Sequence, residues 1–141
     1  MSRIYWDAML FIYLLEKNPV HGPQVVRIHQ EMQRRKDTLC TSIFAIGEVL
    51  TGPRKMKDDA GIRGIKAFFA GREVEILPFD EKAADRYSMI CADLRVKQAD
   101  AIHLALAAAA GVDLFVSNDQ KLHKLRIPGI TFMADLDGKV F

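Results

Sequence analysis

The stretch DAIHLALAAAAGVDLFVSND, residues Asp100–Asp119, admits few folds. Its first half is helical in character: Ala, Leu and Ile dominate Ala101–Ala110, and Gly111 stands where a helix would stop. Its second half, Leu114–Val116, is an apolar β-type run bounded by Asp113 and Ser117. Between Asp100 and Asp113 there is no other acid and no Lys or Arg, so this helix is expected to be buried on most sides. Asp100 opens the helix and Asp119 ends the loop after the strand. A helix N-terminus and the carboxyl end of a buried strand are where α/β proteins place chemistry.

The rest of the chain alternates in the same way. Ile4-Tyr5-Trp6 is a strand of β-formers ended by Asp7. Met9–Glu16 has a helical apolar pattern closed by Asn18-Pro19. Pro23 suits a first helical turn, Val25, Val26, Ile28 and Met32 give that helix an apolar side, and Arg34-Arg35-Lys36 end it. Thr38–Cys40 is a brief strand. Thr41 or Ser42 caps a helix at Ile43–Leu50 that Gly52-Pro53 should stop. A helix at Asp58–Ala70, a strand at Val74–Leu77 and a helix from Asp80 to about Leu94 follow. After Asp119 come a short helical turn near Gln120–Leu125 and a last strand at Thr131–Met133. Helical connections between strands imply an α/β fold: a three-layer α/β/α domain around a central parallel sheet of about five short strands.

A length of 141 residues makes 1–141 a single domain by prior, and a 50% hydrophobic content supplies a core. The formal charge of +2 at pH 7 neither announces nor excludes a nucleic-acid binder, because charge can be segregated by face. Cys40 and Cys91 both lie in apolar segments and read as buried free thiols of a reducing compartment. Arg3 and the apolar run Ala8–Leu15 resemble a signal peptide in length. However, Asp7 interrupts the approach, no small-residue cleavage site follows, and the run is too short to span a bilayer. The expectation is a cytoplasmic protein with no membrane partner.

Right-handed crossovers put the carboxyl ends of all strands on one edge. Asp7 and Asp119 follow strands, and Asp100 begins a helix that descends from that edge. Glu48 is the only charged residue between Asp37 and Arg54, and it sits in a mostly apolar helix on a stripe with Ala45, Thr51 and Gly52. Buried without a partner, its charge would cost several kcal/mol, on the order expected for a desolvated ion, and no Lys or Arg is close in sequence. Two carboxylates about 4 Å apart repel by roughly 4 kcal/mol at an effective dielectric near 20. A cluster of them shares protons or binds a metal. All-oxygen sites suit Mg²⁺ or Mn²⁺, ions that serve phosphodiester hydrolysis.

At these residues the chain resembles the PIN-domain ribonucleases, and within them the VapC-type toxins of toxin–antitoxin pairs. The likeness rests on IYWDAMLFIYLLE, SIFAIGEVLTG and ADAIHLALAAAAGVDLFVSND, in that order. It implies that Asp7, Glu48, Asp100 and Asp119 form an acidic quartet that is both catalytic and metal-binding, with Ser117 on the hydroxyl position preceding the last acid. It further implies a Mg²⁺- or Mn²⁺-dependent endoribonuclease leaving 5′-phosphate and 3′-hydroxyl ends. The partners it implies are an RNA substrate, a cognate antitoxin protein and a second copy in a homodimer. The chain departs from the family where Ala8 and Met9 follow Asp7, since the family usually shows a small hydroxyl or Asn there.

Each acid also has a plainer role open to it. Asp7 can be a turn or cap residue, Asp100 an N-cap, Asp119 the cap of the next turn, and Glu48 the partner of a distant Arg. His103, one turn after Asp100, reads as a polar-edge or supporting residue rather than a general base. Asp80, Asp93 and Asp113 read as caps or loop acids. Arg54, Lys55 and Lys57, and Lys121, Lys124 and Arg126, are candidates for contacts to RNA phosphates, or are solvated surface charge. Two other functions compete. One is a non-catalytic PIN-like module binding RNA or protein. The other is a different phosphate enzyme, disfavoured because no G-x-x-x-x-G-K-[ST] or G-x-G-x-x-G is present and Met9 stands where a second aspartate would be needed.

Overall fold

Apolar patterning and caps place the elements of the computed structural model, which describes residues 1–137. Their order is β1 (Arg3–Trp6), α1 (Ala8–Leu15), α2 (Gly22–Arg35), β2 (Thr38–Ser42), α3 (Ile43–Lys55), α4 (Asp59–Ala70), β3 (Val74–Leu77), α5 (Glu81–Asp93), α6 (Gln98–Ala110), β4 (Leu114–Val116) and β5 (Phe132–Ala134). Residues 138–141 of the expected domain 1–141 lie outside the described residues.

The sheet has five strands in the order β3-β2-β1-β4-β5, every neighbouring pair parallel. Successive side chains on a strand point to opposite faces. Ile4 and Trp6 therefore join a core with Leu10, Phe11, Val25, Ile28 and Phe69, from α1, α2 and α4. Tyr5 points the other way, into a core with Leu104, Leu106 and Phe115 on the α5 and α6 side. Helices cover both faces of the central strands, which is the expected three-layer arrangement and explains why β1 and β4 read as continuous apolar runs. Among the described residues no helix is long and apolar enough to cross a membrane.

α6 follows its composition. Ala101 and Leu104 through Ala108 are all buried, and small side chains let neighbouring backbone come close. Gly129 shows how close: a Cβ there would lie 2.5 Å from the Ala108 carbonyl oxygen, and its φ of +103° already favours glycine. Gly111 ends α6 at φ +68°, as expected of a left-handed C-terminal residue. Ser42, Asp58 and Asp80 cap α3, α4 and α5 through the N–H groups of Ala45, Gly61 and Ala83.

Several expectations are corrected. α3 runs through Gly52-Pro53 to Lys55 instead of stopping. The proline ring crowds the N–H and Cβ of the residue before it, and Gly52, without a Cβ, removes part of that clash. α3 is also not mostly buried, as its apolar residues suggest: Ala45 and Val49 are its buried residues, and Ile43 is 55% exposed. α6 begins at Gln98, so Asp100 lies in its first turn and Lys97 holds the cap position. β5 is shifted by one residue to Phe132–Ala134. Cys40 is buried as expected, but Cys91 is exposed, on the outer side of α5. The turn after Asp119 is held by short-range bonds, such as the Leu122 N–H to the Asp119 carbonyl at 3.1 Å.

Candidate active site

β1 and β4 are neighbours because the chain leaves β1 in one direction and later returns on its other side. Such a reversal opens a crevice at the carboxyl ends of the two strands. Asp7 follows β1 there, and Ser117 follows β4. The Asp7 N–H donates to the Val116 carbonyl at 3.3 Å, so the two strand ends lie side by side. Asp7 also caps α1, its Oδ1 accepting the Met9 N–H at 3.2 Å. Burial pushes its carboxyl above the usual range, opposed by the Ser117 hydroxyl, the His103 ring and the N–H groups of Leu10 and Met9.

Ser117 is fully buried, and its Oγ accepts the Asp119 N–H at 3.1 Å. One hydroxyl thus faces Asp7 while fixing the backbone at Asp119. Asp119 Oδ1 in turn accepts the Lys121 N–H at 3.0 Å, so its capping role is present. Two further bonds hold this loop. His123 Nε2 donates to the Ser117 carbonyl at 2.8 Å, and Asn118 Nδ2 donates to the Tyr13 hydroxyl at 3.2 Å.

Asp100 does not cap α6, whose N-terminal position is Lys97 without a side-chain bond. Its carboxyl is held above the ordinary range, first by burial and then by the negative charge of Asp119, with Glu48 adding to it. His103 and Lys97 act in the opposite direction. Asp100, Asp119 and Glu48 therefore share one electrostatic field, although they lie far apart in sequence.

Among the described residues Glu48 is bonded to neither a Lys nor an Arg. Its Oε1 is hydrogen-bonded to Nε2 of His103. The Glu48 side chain is 33% exposed and that of His103 5%, so the pair runs from the surface into the core. On the other side of the ring, Nδ1 lies 2.7 Å from the Tyr5 hydroxyl. Glu48 is thus not a fully buried charge seeking a cation, as its sequence setting suggested, and the partner it meets is an imidazole supplied by α6. Tyr5 and His103 were not selected from sequence as one unit. A His in an otherwise uncharged alanine-rich helix, and a Tyr whose hydroxyl must be satisfied in a buried strand, are the signals that would have found them.

The four acids are thus brought to one edge of the sheet but not closed into a ligand set. Among the described residues no three His, Cys, Asp or Glu side chains are gathered so that they could hold a metal ion. One oxygen of each of three acids is engaged locally: Asp7 Oδ1 by the Met9 N–H, Asp119 Oδ1 by the Lys121 N–H and Glu48 Oε1 by His103. The donor chemistry nevertheless fits a hard divalent cation, being carboxylate oxygen throughout, and the repulsion felt by Asp100 is what such a cation would relieve. Of the basic candidates, Arg54, Lys55 and Lys57 lie exposed at the end of α3 and just beyond it, and Lys121, Lys124 and Arg126 lie exposed after Asp119. Asp80 caps α5 and Asp113 accepts the Arg3 N–H at 2.8 Å, the structural roles expected of them.

Comparison with known proteins bears on the fold. The family model described as PIN domain matches residues 4–128. No curated protein matches the sequence significantly. Among solved structures, VapBC2 from Rickettsia felis, bound to a DNA fragment from its promoter, is similar at 18% identity and a TM-score of 0.76, over 94% of this chain and 98% of that one. VapBC-1 from nontypeable Haemophilus influenzae is similar at 16% identity and a TM-score of 0.69, over 96% and 98%. VapC20 of Mycobacterium tuberculosis, a toxin that cleaves the sarcin-ricin loop, is similar at 14% identity and a TM-score of 0.64, over 79% and 86%. At these identities the likeness is one of fold.

Proposed function

Since the chain belongs to the PIN-domain family, we propose that it is a metal-dependent endoribonuclease that hydrolyses RNA phosphodiester bonds, and that it is the toxin of a type II toxin–antitoxin pair. The observation that carries this reading is the common field of Asp100, Asp119 and Glu48 at the sheet edge that also bears Asp7. Acids that oppose one another's charge are unfavourable to keep unless they serve a cation. The fold shared with VapC20 and with the VapBC proteins supports the choice of RNA as substrate and of an antitoxin as partner.

Asp7, Glu48, Asp100 and Asp119 would hold Mg²⁺ or Mn²⁺. When bound, such an ion polarises a phosphate oxygen and lowers the pKa of water. The protein's own part is to bring carboxylates to one edge of the sheet, with Ser117 linking Asp7 to the backbone of Asp119. Arg54, Lys55, Lys57, Lys121 and Lys124 contact RNA phosphates and hold the strand across this edge. In this reading the chain 1–141 acts as one PIN domain in the cytoplasm, as a homodimer restrained by its cognate antitoxin.

A second reading, a non-catalytic PIN-like module for RNA or protein, is favoured by the local hydrogen bonds that occupy Asp7, Glu48 and Asp119. Cleavage of labelled RNA with Mg²⁺ or Mn²⁺, compared between the native chain and Asp100→Asn, separates the two. Metal-dependent cleavage lost in the variant supports the nuclease. Binding of RNA without cleavage at any metal concentration supports the module.

A further inference from the structure

The bond between Glu48 and His103 is the end of a longer arrangement. A neutral imidazole has one donor and one acceptor nitrogen. A carboxylate cannot donate, so Nε2 of His103 carries the hydrogen toward Glu48 Oε1. In the neutral ring Nδ1 is then the acceptor of the Tyr5 hydroxyl 2.7 Å away, and in the imidazolium it donates to that hydroxyl instead. In either state Tyr5 hydroxyl, His103 ring and Glu48 carboxylate form one continuous hydrogen-bonded row. It links the middle of β1, the second turn of α6 and the middle of α3, elements that form one edge only after folding.

The ring has little freedom to leave this position. Tyr5 meets it edge-on with centroids 5.8 Å apart, and Phe44 does so at 5.3 Å. Tyr5 is itself stacked on Phe115, at 5.1 Å and 7° between planes. Tyr5 is fully buried and His103 is 4% exposed. Glu48, by contrast, is half-buried on a helix whose outer side faces solvent, and a long carboxylate there has several rotamers open to it.

We propose that Tyr5 and His103 are positioning residues that hold one oxygen of Glu48 and thereby set where its carboxylate stands among the acids of the sheet edge. Holding Oε1 leaves Oε2 for a ligand, and the orientation comes from the core rather than from α3. This rests on the nuclease reading, because it supposes that Glu48 serves the same centre as Asp7, Asp100 and Asp119. Outer partners that orient a ligating side chain typically matter by about 10–100-fold in metal affinity or activity.

The test is made on the full chain with Mn²⁺ as the probe. Its binding is followed by electron paramagnetic resonance without RNA, and RNA cleavage is measured separately. Tyr5→Phe keeps the stacked ring and removes only the hydroxyl. It should weaken Mn²⁺ binding and lower kcat by about tenfold, with KM for RNA unchanged. His103→Ala should do more, and His103→Gln, which restores a side-chain N–H donor, should recover part of the loss. In a Glu48→Gln background, Tyr5→Phe should have no further effect. Native Mn²⁺ affinity and kcat in Tyr5→Phe, with Asp100→Asn inactive, would overturn this proposal and leave the nuclease intact. A lower melting temperature in Tyr5→Phe with unchanged Mn²⁺ affinity would assign Tyr5 to stability alone and overturn it equally. Absence of Mn²⁺ binding and of cleavage in the native chain would remove the nuclease reading, and this proposal with it.

Discussion

The N–H of Asp7 donates to the carbonyl of Val116 at 3.3 Å, joining the ends of two strands that are separated by most of the chain. Asp7 thereby stands next to Ser117, and through Ser117 next to Asp119. Asp7→Asn is informative here because asparagine caps a helix as well as aspartate, so α1 keeps its N-terminal bond. RNA cleavage by Asp7→Asn and by Asp100→Asn should fall by at least about a hundredfold, the scale of losing one preorganised electrostatic group. Circular dichroism should remain native. Full activity in both variants would contradict the assignment.

Repulsion gives a second expectation. Without divalent metal, Asp100→Asn should melt at a higher temperature than the native chain, because the variant removes a charge that burial opposes first, and Asp119 and Glu48 after it. Asp7→Asn should do the same, since burial opposes its charge. A fall in both would make these carboxylates ordinary caps or ion-pair partners.

The same groups set a pH dependence. Asp7 and Asp100 bind protons more tightly folded than unfolded. Such a group contributes stability that is fully present below its unfolded pKa, about 4 for aspartate, and is lost as pH rises through the higher folded value. The melting-temperature advantage of metal-free Asp100→Asn over the native chain should therefore widen as pH climbs through that window. Melting curves at several pH values would show it, and a constant difference would exclude the shift as its origin.

Divalent ions should reverse the penalty. Mg²⁺ or Mn²⁺ at a hundredfold excess over Kd should stabilise the native chain by about 2.7 kcal/mol, with chelation returning it to the starting value. Asp100→Asn should lose most of this gain. Equal stabilisation of both proteins would place the ion elsewhere.

Packing offers a prediction independent of function. Gly129→Ala places a methyl 2.5 Å from the Ala108 carbonyl oxygen at a φ of +103°. It should destabilise the fold by about 1–3 kcal/mol, read from urea unfolding. A loss below a few tenths would mean that the turn shifts freely away from α6.

Local signals were strong along the chain and carried the fold a long way. Alternation on Ile4-Tyr5-Trp6, capping by Ser42, Asp58 and Asp80, and the alanine-rich run ending at Gly111 each act within a few residues. Helix and strand therefore followed, and with them the parallel sheet and the edge at which Asp7, Asp100 and Asp119 stand. Where the reading missed, a neighbour had changed the outcome. Gly52 let α3 pass Pro53, and Cys91 lies on the outer side of α5 despite its apolar surroundings. Side-chain partnership was beyond local reach altogether. Nothing near Glu48 in sequence points to His103, 55 positions on, or from His103 back to Tyr5. Which hydrogen bonds a buried polar group makes depends on what the completed core leaves within 3 Å or so of it. That choice exists only once β1, α3 and α6 have packed against one another.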